Sequence, residues 1–282
     1  MSAPFVYPGF DPVAIHLGPI SIRWYALAYI TGLVLGWRLA RHLVRRFPVV
    51  ATHEQVDDFL TWATLGVVLG GRLGYVLFYQ PALYFAHPLL IPAVWDGGMS
   101  FHGGAIGVGL AIWWFCRQNK IPILGFADRV ATCVPIGLGL GRVANFINGE
   151  LWGRVVEGCT AAHCWLPVAI IYPEAGPLPR YPSELIEASL EGVILFAVMI
   201  ALAQSDRLRA RFGALTGVFV FGYGVCRIVS ESFRQPDPFL GYLAGGLTMG
   251  QILSIPMLLI GGGLLWVALR RPPAASVPVP GR

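Results

Sequence analysis

Charge is what this 282-residue chain has least of: Asp, Glu, Lys and Arg make up only 12% of it, while 56% is apolar and mean hydropathy is +0.65. Soluble domains carry about 25% charged residues, so an ordinary water-soluble globule is excluded. Lysine is nearly absent too, since Lys120 is the one lysine among 20 basic residues. The net charge of +5 is therefore an arginine charge, placed in short clusters between apolar runs. That pattern fits membrane topology and not a nucleic-acid surface, so no nucleic-acid partner is expected. The five cysteines, at 116, 133, 159, 164 and 226, fit no zinc spacing, and no metal site is expected. Cys159 and Cys164, which flank His163 in a loop, are the pair that a disulfide would join. Residues 1–22 contain no Lys or Arg, so the first apolar run lacks the basic flank of a cleavable leader and is expected to be retained.

What is present is a series of apolar runs. At roughly 20 residues per crossing, a chain of this length holds about six to eight spans. Runs near 21–40, 57–79, 98–116, 123–141, 184–204, 213–233 and 249–269 predict an all-α polytopic membrane protein with about seven transmembrane helices. Arg38, Arg41, Arg45 and Arg46 follow the first run, Arg117 and Lys120 the third, Arg207, Arg209 and Arg211 the fifth, and Arg270 and Arg271 the seventh. All four clusters fall on one side of the bilayer. The positive-inside rule then puts the N-terminus outside and the C-terminus in the cytoplasm. Residues 1–271 read as a single integral membrane domain, with an extracytoplasmic loop region at about 145–182. The Pro-rich tail 272–282 reads as disordered.

Glycines 66, 70 and 74, and again 103 and 107, are spaced to put small residues on one helix face, which predicts close backbone approach between two helices. The run Gly137 to Arg142 has the look of a dinucleotide loop but lies inside an apolar span with no strand before it. Gly98 to His102 misses a serine-hydrolase elbow, because His occupies the place of the final Gly.

Ionisable groups at membrane depth are costly, about 2.5–3.5 kcal/mol each even on lenient scales, so each needs a partner or a purpose. Tyr223, Arg227, Glu231 and Arg234 share one helix face, as do Glu184, Glu187 and Glu191 on the preceding span, whose acids suit the arginines of the next. A purely structural role stays open at this point: Arg227 with Glu231 as an intrahelical pair, and Arg72 or Arg129 with Asp57, Asp58 or Asp128. Depth favours function. At 1.5 Å per residue Arg227 lies about 21 Å from the cytoplasmic start of its span. Arg23, Tyr25, His102, Arg142 and Asn145 reach the same outer layer from three other spans. A guanidinium grips phosphate oxygens bidentately and keeps its charge, so an anionic phospholipid headgroup is the natural ligand, and a transferase or hydrolase acting on lipid follows. His102 is either a proton carrier or a histidine bonded to nearby backbone, and Tyr25, beside Trp24, is either catalytic or part of an interfacial belt. A secondary transporter of an organic anion is the alternative, although no inverted repeat is visible and the charged layer is off-centre.

The segment Gly141-Arg142-Val143-Ala144-Asn145-Phe146-Ile147-Asn148-Gly149-Glu150-Leu151-Trp152-Gly153 closely resembles the signature of the prolipoprotein diacylglyceryl transferase family. Arg23-Trp24-Tyr25, His102-Gly103-Gly104, Tyr181-Pro182-Ser183-Glu184, the run from Arg227 to Asp237, and Met249-Gly250-Gln251 accompany it in the expected order. The resemblance implies a multi-pass enzyme of the bacterial inner membrane. Such an enzyme moves the diacylglyceryl group of phosphatidylglycerol onto the lipobox cysteine of preprolipoprotein signal peptides and releases glycerol phosphate, with no cofactor. It carries function to Tyr25, His102, Arg142, Asn145 and Arg227 as catalytic residues. Arg142, Arg227, Arg234, Gly103 and Gly153 would bind phosphatidylglycerol, and Glu150 and Glu231 would orient arginines. Family members often have His and Gln where this chain has Tyr181 and Glu184, so those two receive no role. The 155–178 loop, with its cysteine pair, is expected to shape access for the protein substrate.

Overall fold

A computed structural model of the chain describes residues 3–18, 20–94, 97–236 and 241–274. Seven long helices dominate these residues: α1 (Trp24–Val44), α2 (His53–Phe78), α3 (Phe101–Gln118), α4 (Ile123–Asn148), α5 (Ser183–Ala203), α6 (Ala214–Glu231) and α7 (Met249–Arg270). Five of them, α2, α4, α5, α6 and α7, are long and apolar enough to cross a membrane. α1 and α3 have 21 and 18 residues, and both carry arginine in the last turn. Each helix falls on one of the apolar runs read from the sequence. Leu and Ile on the faces of α1, α2, α3 and α7 stay exposed, as expected where lipid and not protein covers them.

The helix ends are set by short-range chemistry. Thr52 accepts from Gln55 N at 3.1 Å while Gln55 Oε1 accepts from Thr52 N at 2.9 Å, and Thr248 with Gln251 repeats this reciprocal cap at α7. Ser100 caps α3 by accepting from Gly103 N at 3.2 Å. Gly149 ends α4 at φ 65°, a left-handed conformation that costs glycine nothing.

Small residues decide how closely the helices pack. α2 lies on α3 through the two glycine series: a Cβ on Gly74 would stand 2.7 Å from Gly103 Cα, and one on Gly70 2.9 Å from Gly107 Cα. The predicted close approach is therefore real. α4 and α5 meet the same way, since a Cβ on Gly192 would stand 2.5 Å from Gly139 Cα. There α5 widens into a π-helical stretch, Ala188–Ile194, of the kind that recurs at functional sites.

The N-terminal boundary differs from the sequence reading. The first span was expected from residue 21, but Ile20–Arg23 is a strand (β3) paired antiparallel with Val13–Leu17 (β2), and helix begins only at Trp24. Ile alternates with Ser and Arg in Ile20–Arg23, a two-residue period that suits a hairpin. Ahead of them β1 (Phe5–Val6) runs parallel to β4 (Ile170–Ile171), tying the N-terminus to the 149–182 loop. Cys159 and Cys164 are joined in that loop, and with Val156 and Ala169 they form a small core of their own. The tail read as disordered starts at residue 272: Ala274 N donates to Ala210 O at 2.6 Å, and residues 275–282 lie outside the described residues, as does Asp237.

Two intramembrane arginines prove structural, with partners other than those expected. Arg72 donates to the carbonyls of Ile91, Leu90 and Gly97, all within 2.7 Å, and pins the segment before α3. Arg129 donates to the carbonyl of Pro48 at 2.9 Å. Asp128 caps α6 from a distance, accepting from Gly213 N at 2.8 Å and from Thr216 N at 2.7 Å. Asp57 belongs to Arg41 at 2.6 Å.

Candidate functional site

The two charged stripes meet. Glu187, on α5, is 1% exposed, and its carboxylate holds three arginines: Arg142 from the end of α4 at 2.7 Å, Arg227 from α6 at 3.1 Å, and Arg234 just beyond α6 at 3.4 Å. Glu191, one turn further along α5 and fully buried, lies 3.8 Å from both Arg142 and Arg227. Arg227 also pairs with Glu231 on its own helix. A carboxylate this deep would cost several kcal/mol without compensation, and the guanidiniums supply it. The expectation that the acids of α5 balance the arginines of α6 is met, and Arg142 joins them from α4.

The arginines are not used equally. Arg142 comes nearest to both carboxylates through Nε, and its two terminal nitrogens make no hydrogen bond among the described residues. Arg227 spends Nη1 on Glu187 and Glu191, and Nη2 on Glu231. Arg142 is thus gripped along its edge with the bidentate end of its guanidinium available.

A surrounding layer fixes these side chains. Thr248, the cap of α7, donates its hydroxyl to Glu231 Oε2 at 2.7 Å, and Gly250 leaves room for that carboxylate against the helix start. The Met249-Gly250-Gln251 motif is therefore a seat for Glu231. A Cβ on Gly153 would stand 2.7 Å from Phe233 O and 2.8 Å from Tyr181 Cβ, so only glycine lets the segment after α4 lie against the segment after α6. Next to it Arg154 donates to the carbonyls of Arg234 at 2.8 Å and Glu231 at 3.0 Å.

Glu150 requires a correction. It was expected to orient an arginine, but it accepts from Asn145 Nδ2 at 2.8 Å and from Asn148 Nδ2 at 3.2 Å. The left-handed turn at Gly149 folds Glu150 back over the end of α4, where these amides are the nearest donors. Gly103, expected at the lipid, is buried against Gly70 and Gly74, and its smallness serves the α2–α3 contact beside His102. His102 itself is exposed on the first turn of α3, within electrostatic reach of Arg227. Tyr25 is 38% exposed in the first turn of α1, packs on Tyr29 at 5.5 Å between ring centres, and lies within electrostatic reach of Glu150 and Arg142.

Sequence reasoning noticed Glu187 and Glu191 as a stripe but left them out of the site. It gave Thr248 and Arg154 no role in the site. The period of three and four was the available signal for the glutamates, whereas nothing local distinguishes Thr248 from any other helix cap.

The loop side is anchored by aromatics. Tyr7 stacks on Tyr172 at 5.4 Å and donates its hydroxyl to Ile147 O at 2.6 Å, at the end of α4. Tyr172 donates to Glu184 Oε2 at 3.2 Å, which connects the loop to α5 one turn before Glu187. Burial, and then the Glu184 carboxylate, push the Tyr172 hydroxyl well above the usual phenol range.

Residues 12–267, almost the whole described chain, match the family model for prolipoprotein diacylglyceryl transferase. The chain belongs to the prolipoprotein diacylglyceryl transferase family. A phosphatidylglycerol–prolipoprotein diacylglyceryl transferase of Acidiphilium cryptum is 61% identical over 265 residues, 94% of each chain. A protein of the same name from Gluconacetobacter diazotrophicus is 61% identical over 95% of this chain and 93% of its own length. One from Gluconobacter oxydans is 56% identical over 99% of this chain and all of its own. The family match runs from the β2–β3 hairpin to the last turn of α7, so it takes in every helix that contributes to the carboxylate–arginine cluster.

Proposed function

We propose that this protein transfers the diacylglyceryl group of phosphatidylglycerol to the lipobox cysteine thiol of a preprolipoprotein, forming a thioether and releasing glycerol phosphate. The observation that carries the reading is the guanidinium of Arg142, held by Glu187 through Nε with its terminal nitrogens available to a phosphodiester. Near-full-length relatives bearing this activity in their names support it.

In the reaction the thiol sulfur attacks the glyceryl carbon next to the phosphate, the carbon–oxygen bond breaks, and the electron pair leaves on the phosphate oxygen. Arg142 binds the phosphate and stabilises that developing charge, and Arg227, locked among three carboxylates, adds its field. His102 accepts the thiol proton, whose ordinary pKa near 8.5 is too high for much thiolate at neutral pH. Tyr25 and Asn145, at the same end of the bundle, hydrogen-bond the headgroup hydroxyls. Arg234 completes the electropositive wall. Glu150 acts on the lipid only through Asn145.

We further propose that residues 1–271 form one catalytic domain crossing the bacterial inner membrane seven times, with the N-terminus and the 149–182 loop outside. The Cys159–Cys164 bridge in that loop suits an oxidising compartment, and the arginine clusters lie at the opposite end.

The test is direct: incubate the purified protein in detergent with phosphatidylglycerol labelled in its acyl chains and a lipobox peptide. A labelled thioether peptide that is absent when the peptide cysteine is replaced by serine is expected. Turnover of lipid without peptide labelling would contradict the assignment.

A further inference from the structure

The far end of α1 holds a second cationic group, remote from the carboxylate–arginine cluster. A cavity of about 460 Å³ is lined by Arg38, Arg41, His42, Arg45, Arg46 and His53. Four guanidiniums and two imidazoles thus face one space. The carboxylates near them are Asp57, which is taken by Arg41 at 2.6 Å and by the indole of Trp37, and the exposed Glu54, which lies within electrostatic reach of Arg41 and His53. Arg41 also lies 3.3 Å from His53 Nδ1, and Arg46 donates to the side-chain amide of Gln204 at 2.5 Å. Among the described residues no carboxylate is within ion-pair distance of Arg38, Arg45 or Arg46. A positive-inside bias places arginines after α1, but it does not require that they converge on a cavity with so little counter-charge.

The same face of α1 says what kind of anion fits. Ile30, Val34, Arg38, Arg41 and Arg45 follow one another at spacings of four, four, three and four, a single stripe along the helix. Its first half, Ile30 at 60% exposure and Val34 at 41%, is apolar and uncovered, and its second half is cationic. A ligand complementary to that stripe has a hydrocarbon part along one turn and a phosphate at the next. Arg38, Arg41 and Arg45 come 13, 16 and 20 residues after Tyr25, about 20–30 Å along the axis of α1, so the site lies toward the opposite leaflet from the active-site layer.

We propose that this pocket binds the phosphate of an anionic membrane lipid in the leaflet at the C-terminal end of α1. The guanidiniums of Arg38 and Arg45 take the phosphate oxygens, and the acyl chains lie against Ile30 and Val34. The bound lipid supplies the counter-charge that the protein lacks there.

The test uses the full-length protein in nanodiscs of phosphatidylcholine containing a graded fraction of phosphatidic acid, with retained lipid counted by native mass spectrometry. The wild type and the Arg142→Ala variant, whose active-site guanidinium is gone, are both expected to retain phosphatidic acid. The double variant Arg38→Gln with Arg45→Gln should bind it roughly twentyfold more weakly, given about fivefold per arginine near a lipid surface. The double variant Arg38→Lys with Arg45→Lys keeps the charges that orient α1 and should recover most of the affinity. Equal retention by the Gln variant and the wild type would overturn the proposal. So would protection of the pocket by inorganic phosphate as effectively as by phosphatidic acid, which would assign it to a soluble anion.

Discussion

Arg142 Nε and Glu187 Oε2 stand 2.7 Å apart, and this contact joins the last turns of α4 to the second turn of α5. Because the same carboxylate also meets Arg227 and Arg234, one buried acid sets the position of three cations. The chemistry proposed for this protein follows from that arrangement: a cation held by its edge presents its fork to a phosphate without having to be ordered when lipid arrives.

Glu187→Gln keeps the volume and one acceptor but removes the charge. Three guanidiniums are then left with Glu191 and Glu231 alone, and repulsion spreads them. Transfer is expected to fall on the order of 10²-fold, comparable to the loss of one preorganised electrostatic group. The measurement is labelled-peptide formation by variant protein that retains its size-exclusion profile. A rate within a few-fold of wild type would remove Glu187 from the positioning of Arg142.

Gly70 lies against the backbone of α3, where a Cβ would come within 2.9 Å of Gly107 Cα, whereas a Cβ on Gly109 meets nothing within 4 Å. Gly70→Leu must therefore push α2 and α3 apart, at a cost of about 1–3 kcal/mol, and carry His102 away from Arg227. Loss of thermal stability and of transfer is expected for Gly70→Leu, with neither for Gly109→Leu. Equal behaviour of the two variants would contradict the packing account.

His102 is assigned the thiol proton, so His102→Gln should depend on how much thiolate exists without it. Transfer by this variant is expected to be low near pH 7 and to rise toward wild type as pH approaches about 8.5, the free thiol value. A variant that stays equally impaired across that range would show that His102 acts on lipid placement instead.

Tyr172 gives the pH dependence of stability a direction. Its hydroxyl is held above the ordinary value of 10.0 by burial and by Glu184, so above that pH the unfolded chain releases a proton that the folded chain keeps. Stability contributed this way is complete below pH 10 and declines as pH rises beyond it. Tyr7, also raised chiefly by burial, adds to the same decline. Tyr172→Phe is expected to be less stable at neutral pH, since Glu184 loses its donor, yet to show a shallower alkaline decline in urea midpoint. An unchanged alkaline slope would contradict the assignment.

Much of this architecture was legible because lipid simplifies the reading. Each helix must be apolar across a bilayer, so the runs that became α2, α4, α5, α6 and α7 declared themselves by length alone. The α2–α3 contact was visible as a glycine period, and the stripes on α5 and α6 as spacings of three and four. Partner choice was not visible. Arg72, Arg129 and Asp128 all bond to backbone groups far away in sequence, and no local pattern encodes a carbonyl as a partner. The partners of Glu150 were hidden for a similar reason, because the left-handed turn at Gly149 returns it to the amides of Asn145 and Asn148. The β2–β3 hairpin was hidden because its apolar residues merge with those opening the first span.

The most direct measurement compares Arg142→Lys and Arg142→Ala with wild type in the labelled phosphatidylglycerol assay, with membrane insertion verified for each. Lysine keeps the charge but has neither the Nε edge that Glu187 holds nor a fork for two phosphate oxygens, so it should fail nearly as completely as alanine, with transfer down at least about 10²-fold in both. If the lysine variant, or the alanine one, transferred diacylglyceryl at close to the wild-type rate, the edge-held guanidinium would not be the phosphate clamp, and the proposed catalytic account would be contradicted.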